Sequence, residues 1–462
     1  MTTTLREKPT KSPAPIKEPS KVARVARSLV RNIIWSIGTF IVSILVLEVA
    51  LRACGIGGEE YLKMDPTLGF THLENKPIVV RSEGWSYDAA NSKGIRDYEY
   101  SLTPAPGVHR VAFLGDSKTE SIQVPLKDNF AKEIERRLNV KAKELDFKER
   151  SNGKSSQDSS SPSAKVECIN FGMSGYGTSQ EVLQYMRDVR QYKPEVTVLV
   201  YHVLDNDENT APVQPETFTP RPYFSVNDQG VLKPDWLFLD YWFCSERAVY
   251  FKACDWLRRN SYVLGVLSQI DKTSKGQKYY DMYQQKILLP MFELIGNLVP
   301  SLRHKADEAV MAQRAILAKE FEKPIPNFGS TSEEQIPDRP PGFIEKDYNV
   351  LLLNHRLHFR VTSALIRKLN QVCKDSGSKL IVAALPAPTS QVFYFKEVKA
   401  LQQIAREENF DFVNLHEAFP ATAGGESSPL FVGFHFSRLG HNIVADELTP
   451  VIERNLKKDR IQ

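Results

Sequence analysis

The 462-residue chain has little of what several protein classes require. Five cysteines are too few for a disulfide framework. Cys168 and Cys373 lie in apolar runs and read as buried thiols, whereas Cys244 and Cys254 are close enough in sequence to pair in an oxidising compartment. No Cys/His group has metal-ligand spacing, so no metal is expected. No Walker-type sequence occurs, and the glycine-rich stretch at 170–178 lacks the acidic residue of a dinucleotide site, so no organic cofactor is expected. An excess of basic charge is confined to the N-terminus. The net charge is +4, but residues 1–32 hold eight Lys/Arg against two acids, so the rest of the chain is slightly acidic. That leaves no footprint for nucleic acid. No internal repeat is evident.

One long apolar run is present. Ile33 to Leu47 carries no charge, and Val49-Ala50-Leu51 extends it past a single acid, Glu48. About 19 helical residues span roughly 28 Å, near the thickness of a bilayer's hydrocarbon core. The basic residues of the tail precede this run, which places the tail in the cytoplasm and everything after about residue 53 outside, and the 32-residue leader, longer than that of a cleaved signal peptide, argues for an uncleaved signal-anchor. Glu48 and Arg52 share a helical face at the far interface, where they can pair.

The rest divides by composition. A basic, Pro-rich tail (1–32) is expected to be disordered, and residues 33–53 form the transmembrane helix. A juxtamembrane connector (54–107) carries turn signals at Asp65-Pro66, residues 91–94 and residues 104–107. From 108 to 462, strands and helices alternate. Apolar runs at Arg110–Gly115, Val166–Phe171, Val196–Val203, Lys379–Leu385 and Phe412–Leu415 read as five parallel strands. Amphipathic stretches separate most of them, with Phe130, Ile134 and Leu138 on one face of one helix and Leu357, Val361, Leu365 and Leu369 on one face of another. Such alternation means a doubly wound α/β sheet. Two insertions interrupt it. Residues 149–164 are low complexity and read as a surface loop. Residues 210–345 are long and aromatic, suiting either a helical subdomain with its own core or a lid over the site; within them 323–342 read as an extended loop.

The chemistry concentrates at strand ends. The first strand stops at Gly115-Asp116-Ser117, where a serine on a tight turn is exposed at the carboxyl edge. A serine hydroxyl needs a base and donors for a developing oxyanion, or else it is an ordinary helix cap. Asp116 reads as a brace for the turn. The second strand runs into Asn170–Thr178, whose three glycines allow close backbone approach, so that Gly175 could offer its N–H. The third runs into Asp205-Asn206-Asp207-Glu208, where the Asn206 amide is a natural further donor. The acids beside it suit a cation site or a solvated loop. After the fifth strand, His435 precedes Ser437, the expected N-cap of the last helix. His435 is the candidate base and His441 the reserve.

Together these blocks resemble the SGNH/GDSL hydrolase family, membrane-anchored bacterial type. Gly115-Asp116-Ser117 matches its nucleophile block, Asn170–Thr178 its glycine block, Asp205-Asn206-Asp207 its asparagine block imperfectly, and His435 its histidine block. Residues 91–97 and 221–224 are similar to flanking segments of anchored members. The resemblance implies a flavodoxin-like three-layer α/β sandwich with a five-stranded parallel sheet. It also implies a serine esterase with Ser117 and His435 as catalytic pair, and Gly175 and Asn206 in the oxyanion hole. The expected substrate is an acyl ester, acetyl by analogy, of a cell-envelope polysaccharide. O-acyl transfer and a catalytically inactive glycan-binding module are the alternatives. The family places an Asp two or three residues before its histidine. Here those positions are Gly433 and Val432, which leaves a backbone carbonyl to orient His435 as part of a Ser–His dyad.

Overall fold

The structure is a computed structural model. It describes residues 21–54, 56, 61–81, 83–151, 165–210, 220–264, 266, 284–302, 307–331, 334, 348–386, 394–419 and 428–457. The chain forms two compact units, one comprising residues 1–58 and 260–273, the other residues 59–259 and 274–462.

The smaller unit is built on one helix, Lys21–Cys54. It starts well before Ile33, so part of the segment expected to be a disordered tail is helical; residues 1–20 lie outside the described residues. Its stretch Arg27–Cys54 is long and apolar enough to cross a membrane. Glu48 and Arg52 pair at 2.7 Å. The Glu48 carboxylate also accepts the backbone N–H groups of Tyr262 and Val263 at 2.9 and 3.0 Å, and the Arg52 guanidinium lies 4.7 Å from the centre of the Tyr262 ring.

In the larger unit, five strands form one parallel sheet: Val108–Gly115, Lys165–Asn170, Val196–Tyr201, Lys379–Ala384 and Asp411–Asn414. Counted in chain order their arrangement is second, first, third, fourth, fifth, the flavodoxin-like order. Alternate side chains of each strand go to opposite faces. Val111 and Phe113 join Phe130, Ile134 and Leu138 of helix Phe130–Ser151 and Val444, Leu448 and Ile452 of helix Arg438–Lys457. Ala112 and Leu114 join Val182 and Met186 of helix Thr178–Arg187, Leu365 and Leu369 of helix Tyr348–Asp375, and Leu401 of helix Tyr394–Glu408. The result is a three-layer sandwich.

The connector is more than a spacer. It contains two antiparallel hairpins, Leu62–Asp65 with Gly69–His72 and Pro77–Val80 with Ser86–Ala89. The insertion opens with a third hairpin, Tyr223–Val226 with Leu232–Asp235, before its helices. There Trp242 stacks on Phe251 at 4.3 Å and Tyr250 meets Phe292 at 5.7 Å, so these aromatics pack on one another. No disulfide joins Cys244 to Cys254. The low-complexity loop 152–164 and most of 332–347 lie outside the described residues.

Candidate active site

The switch point of the sheet lies between its first and third strands, the place where doubly wound folds hold ligands. The first strand ends at Gly115, where a Cβ would run into the Thr119 side chain. Asp116 caps the short helix Ser117–Glu120, its carboxylate accepting the Lys118 N–H at 2.8 Å. The other side of that carboxylate faces His202 Nδ1 at 3.2 Å, and Lys118 Nζ donates to His202 Nε2 at 3.1 Å. Burial alone would raise the Asp116 carboxyl, but the His202 hydrogen bond and the Lys118 charge outweigh it and hold Asp116 below the usual carboxylate range. Burial and the same lysine push His202 down. Asp116 is therefore an ionised brace.

Ser117 and His435 meet. The Ser117 hydroxyl lies 2.9 Å from His435 Nε2. His435 is delivered by a two-residue hairpin, in which Phe431 pairs with Phe436 and Val432 with His435. Phe436 is buried beside Phe419 and Phe431, which fixes the hairpin to the sandwich. Ser437 caps the following helix, its hydroxyl accepting the Gly440 N–H at 3.3 Å.

The orienting group is a carboxylate, and it comes from the connector. His435 Nδ1 lies 2.6 Å from Glu83 Oε2. Glu83 sits in the loop of the hairpin Pro77–Val80/Ser86–Ala89. A carboxylate only accepts, so Nδ1 carries the hydrogen and Nε2 is left free to accept from Ser117. This replaces the expected backbone carbonyl. Gly433, two residues before His435, explains how. Its φ is +60°, and a Cβ there would lie 2.8 Å from Glu83 Cδ. The missing side chain leaves the space that the Glu83 carboxyl group fills. No local pattern marked Glu83 as part of a site. The one available signal was that glycine, two residues before His435.

The glycine block also reaches the site. Gly175 has φ +80°, a conformation that favours glycine. Among the described residues, neither the Ser117 nor the Gly175 backbone N–H has a hydrogen-bond partner. Asn206 is placed differently from the sequence expectation. A helix begins at Asp205 and turns the buried Asn206 inward, where its Nδ2 donates to Glu397 Oε1 at 2.8 Å and its Oδ1 has no partner among the described residues. The loop is not simply solvated either. Asp205 is buried, accepts the Thr178 hydroxyl at 3.0 Å and is pushed well up by burial. Glu208 is pushed up to about 8, chiefly by burial. Asp207 stays exposed and pairs with His358 at 2.7 Å. Among the described residues no group of acids, histidines or cysteines could hold a metal ion.

His441 is excluded as the base by its surroundings. It is buried between Phe130 and Phe436, 5.7 and 5.6 Å from their ring centres. Burial first, then the charges of Arg96 and His435, push it down to about 3.

No family model matches the chain, and no curated protein matches it. Solved structures do. TesA is 8% identical with a TM-score of 0.34, the match covering 75% of this chain and 99% of that one. Axe2, an acetylxylan esterase from Geobacillus stearothermophilus, is 11% identical with a TM-score of 0.30, covering 74% of this chain and 92% of that one. These likenesses assign the chain no activity.

Proposed function

We propose that the chain is a membrane-anchored serine esterase of the SGNH/GDSL type, with Ser117, His435 and Glu83 as its triad. The observation that carries this reading is the continuous line from Ser117 Oγ to His435 Nε2 at 2.9 Å and from His435 Nδ1 to Glu83 Oε2 at 2.6 Å. In the reaction the Ser117 oxygen attacks an ester carbonyl while His435 Nε2 takes its proton. Glu83 holds the imidazole in the right tautomer and stabilises the cation that forms. The Ser117 and Gly175 N–H groups bind the tetrahedral oxyanion. His435 then gives the proton to the leaving alcohol. Water, activated by the same imidazole, frees the acyl group. No metal or organic cofactor enters these steps. Asn206 donates one amide hydrogen to Glu397 and offers its second to the oxyanion hole. The basic flank before the apolar helix supports a cytoplasmic N-terminus and an exported catalytic domain. An anchored, exported site suits acetyl esters of an envelope polysaccharide.

The test uses the full chain in cells stripped of any outer wall. A membrane-impermeant fluorophosphonate should label the wild type and leave Ser117→Ala unlabelled. Hydrolysis of a small acetyl ester should fall by about 10⁴-fold or more in that variant. Equal labelling of both proteins rejects the nucleophile. Labelling that appears only after lysis rejects the export. Supplying an acceptor oligosaccharide with the ester then separates the two outcomes of deacylation: free acid means hydrolysis, acylated sugar means transfer.

A further inference from the structure

Glu120 lies in the same short helix as Ser117 and is buried, with no catalytic step to perform. Its carboxylate reaches out of that helix to the glycine loop. The Ser174 N–H donates to Glu120 Oε2 at 2.7 Å, and the Ser174 hydroxyl donates to the same oxygen. His72, from the connector, donates from Nε2 to Glu120 Oε1 at 2.8 Å. The other ring nitrogen of His72 lies 3.3 Å from the Gly94 carbonyl oxygen. Each ring nitrogen of His72 thus faces an oxygen, one on Glu120 and one on the backbone of Gly94. Burial would raise Glu120, but the charge of His72 and the hydrogen bonds from His72 and Ser174 hold it below the usual range.

The next residue after Ser174 is Gly175. On its far side, Arg221 Nη2 donates to the Gly175 carbonyl at 3.0 Å. The peptide that carries the free Gly175 N–H therefore lies between two anchored groups, the Ser174 N–H and the Gly175 C=O. Gly172 keeps helix and loop in direct contact, because a Cβ there would strike the Glu120 backbone nitrogen. We propose that Glu120, held by His72, is a positioning residue. It fixes the Ser174–Gly175 peptide against the Ser117 helix so that the two free N–H groups converge on one oxyanion. This rests on the esterase reading above.

The experiment compares full-length wild type, Glu120→Gln and Ser174→Ala on a small acetyl ester and with a trifluoromethyl ketone, which forms a tetrahedral adduct with an active serine. Glutamine keeps the shape but has a single accepting oxygen; with that oxygen on Ser174, it turns an uncharged NH2 towards His72 Nε2 in place of a carboxylate oxygen. The expected result is a kcat lower by about 10- to 100-fold at unchanged KM, with ketone affinity weakened by the same factor. Ser174→Ala removes one of the two donors and should fall by less, about 3-fold or more in both readouts. It carries the test if Glu120→Gln does not fold. Wild-type kcat and ketone affinity in a folded Glu120→Gln, or in Ser174→Ala where Glu120→Gln does not fold, overturns the proposal. So does a kcat loss that leaves ketone affinity untouched. A wild type that the fluorophosphonate does not label fails at the earlier step and sinks the esterase reading instead.

Discussion

Residues 61–107 and residues 220–331 both lie outside the alternating strands and helices, yet they serve the sheet in opposite ways. The first segment is short and modestly apolar. It sends Glu83 to His435, His72 to Glu120, Arg96 to the Glu120 and Val124 carbonyls, and Asp97 to the Asn170 N–H at 2.8 Å. The second is long and aromatic. Among the described residues its clearest tie to the site is Arg221 on the Gly175 carbonyl, while its rings stack on one another. Bulk and aromatic content therefore say little about which segment builds a site. What matters is where buried charge ends up. In the connector the charged and ionisable groups Glu83, His72, Arg96 and Asp97 meet partners on the elements that build the site. In the insertion the aromatic pairs stabilise the insertion itself.

Three changes break or sharpen this contrast. The largest effect is expected from Glu83→Gln. An amide can accept the Nδ1 hydrogen but does not stabilise the imidazolium, so kcat on an acetyl ester should fall by about 10²-fold or more, with KM little changed. Steady-state kinetics on the purified chain checks this. An intermediate effect is expected from pH. Glu208 is raised from 4.5 to about 8 in the fold, so the folded state holds a proton that the unfolded state has lost. The stability it contributes is complete below about 4.5 and declines as pH rises towards about 8. Thermal unfolding midpoints should drop across that window, and Glu208→Gln should flatten the drop. Asp116 and Glu120, both lowered, work the other way: their contribution is present at neutral pH and is lost on acidification. The smallest effect on chemistry is expected from Phe251→Leu in the insertion. Losing the stack on Trp242 should cost about 1 to 2 kcal/mol of stability by denaturant titration and leave kcat within about twofold.

The strands were legible because each is a short apolar run with a turn signal after it, as at Leu114-Gly115-Asp116 and Ile169-Asn170-Phe171-Gly172. Strand ends then pointed to Ser117 and His435, because a doubly wound sheet gathers its carboxyl termini at one edge. Glu83 was not legible. It stands 352 positions from His435, in a hairpin whose strands are four residues each, too short for periodicity to register. His72 and Glu120 were hidden for the same reason. Their pairing depends on how the connector folds back over the first strand, and no local pattern encodes that. Asn206 was legible as a residue type at a strand end. Its direction was not, because a helix starting one residue earlier turns its amide towards Glu397.

The central claim is that the connector orients the histidine. A nuclear magnetic resonance search for the His435 Nδ1–H proton in ¹⁵N-histidine-labelled full-length protein tests it most directly. A far-downfield resonance is expected in the wild type and in Ser117→Ala, moved upfield in Glu83→Gln and absent in His435→Ala. A resonance that persists unshifted in Glu83→Gln would mean that another group holds the ring, and the triad would not include the connector.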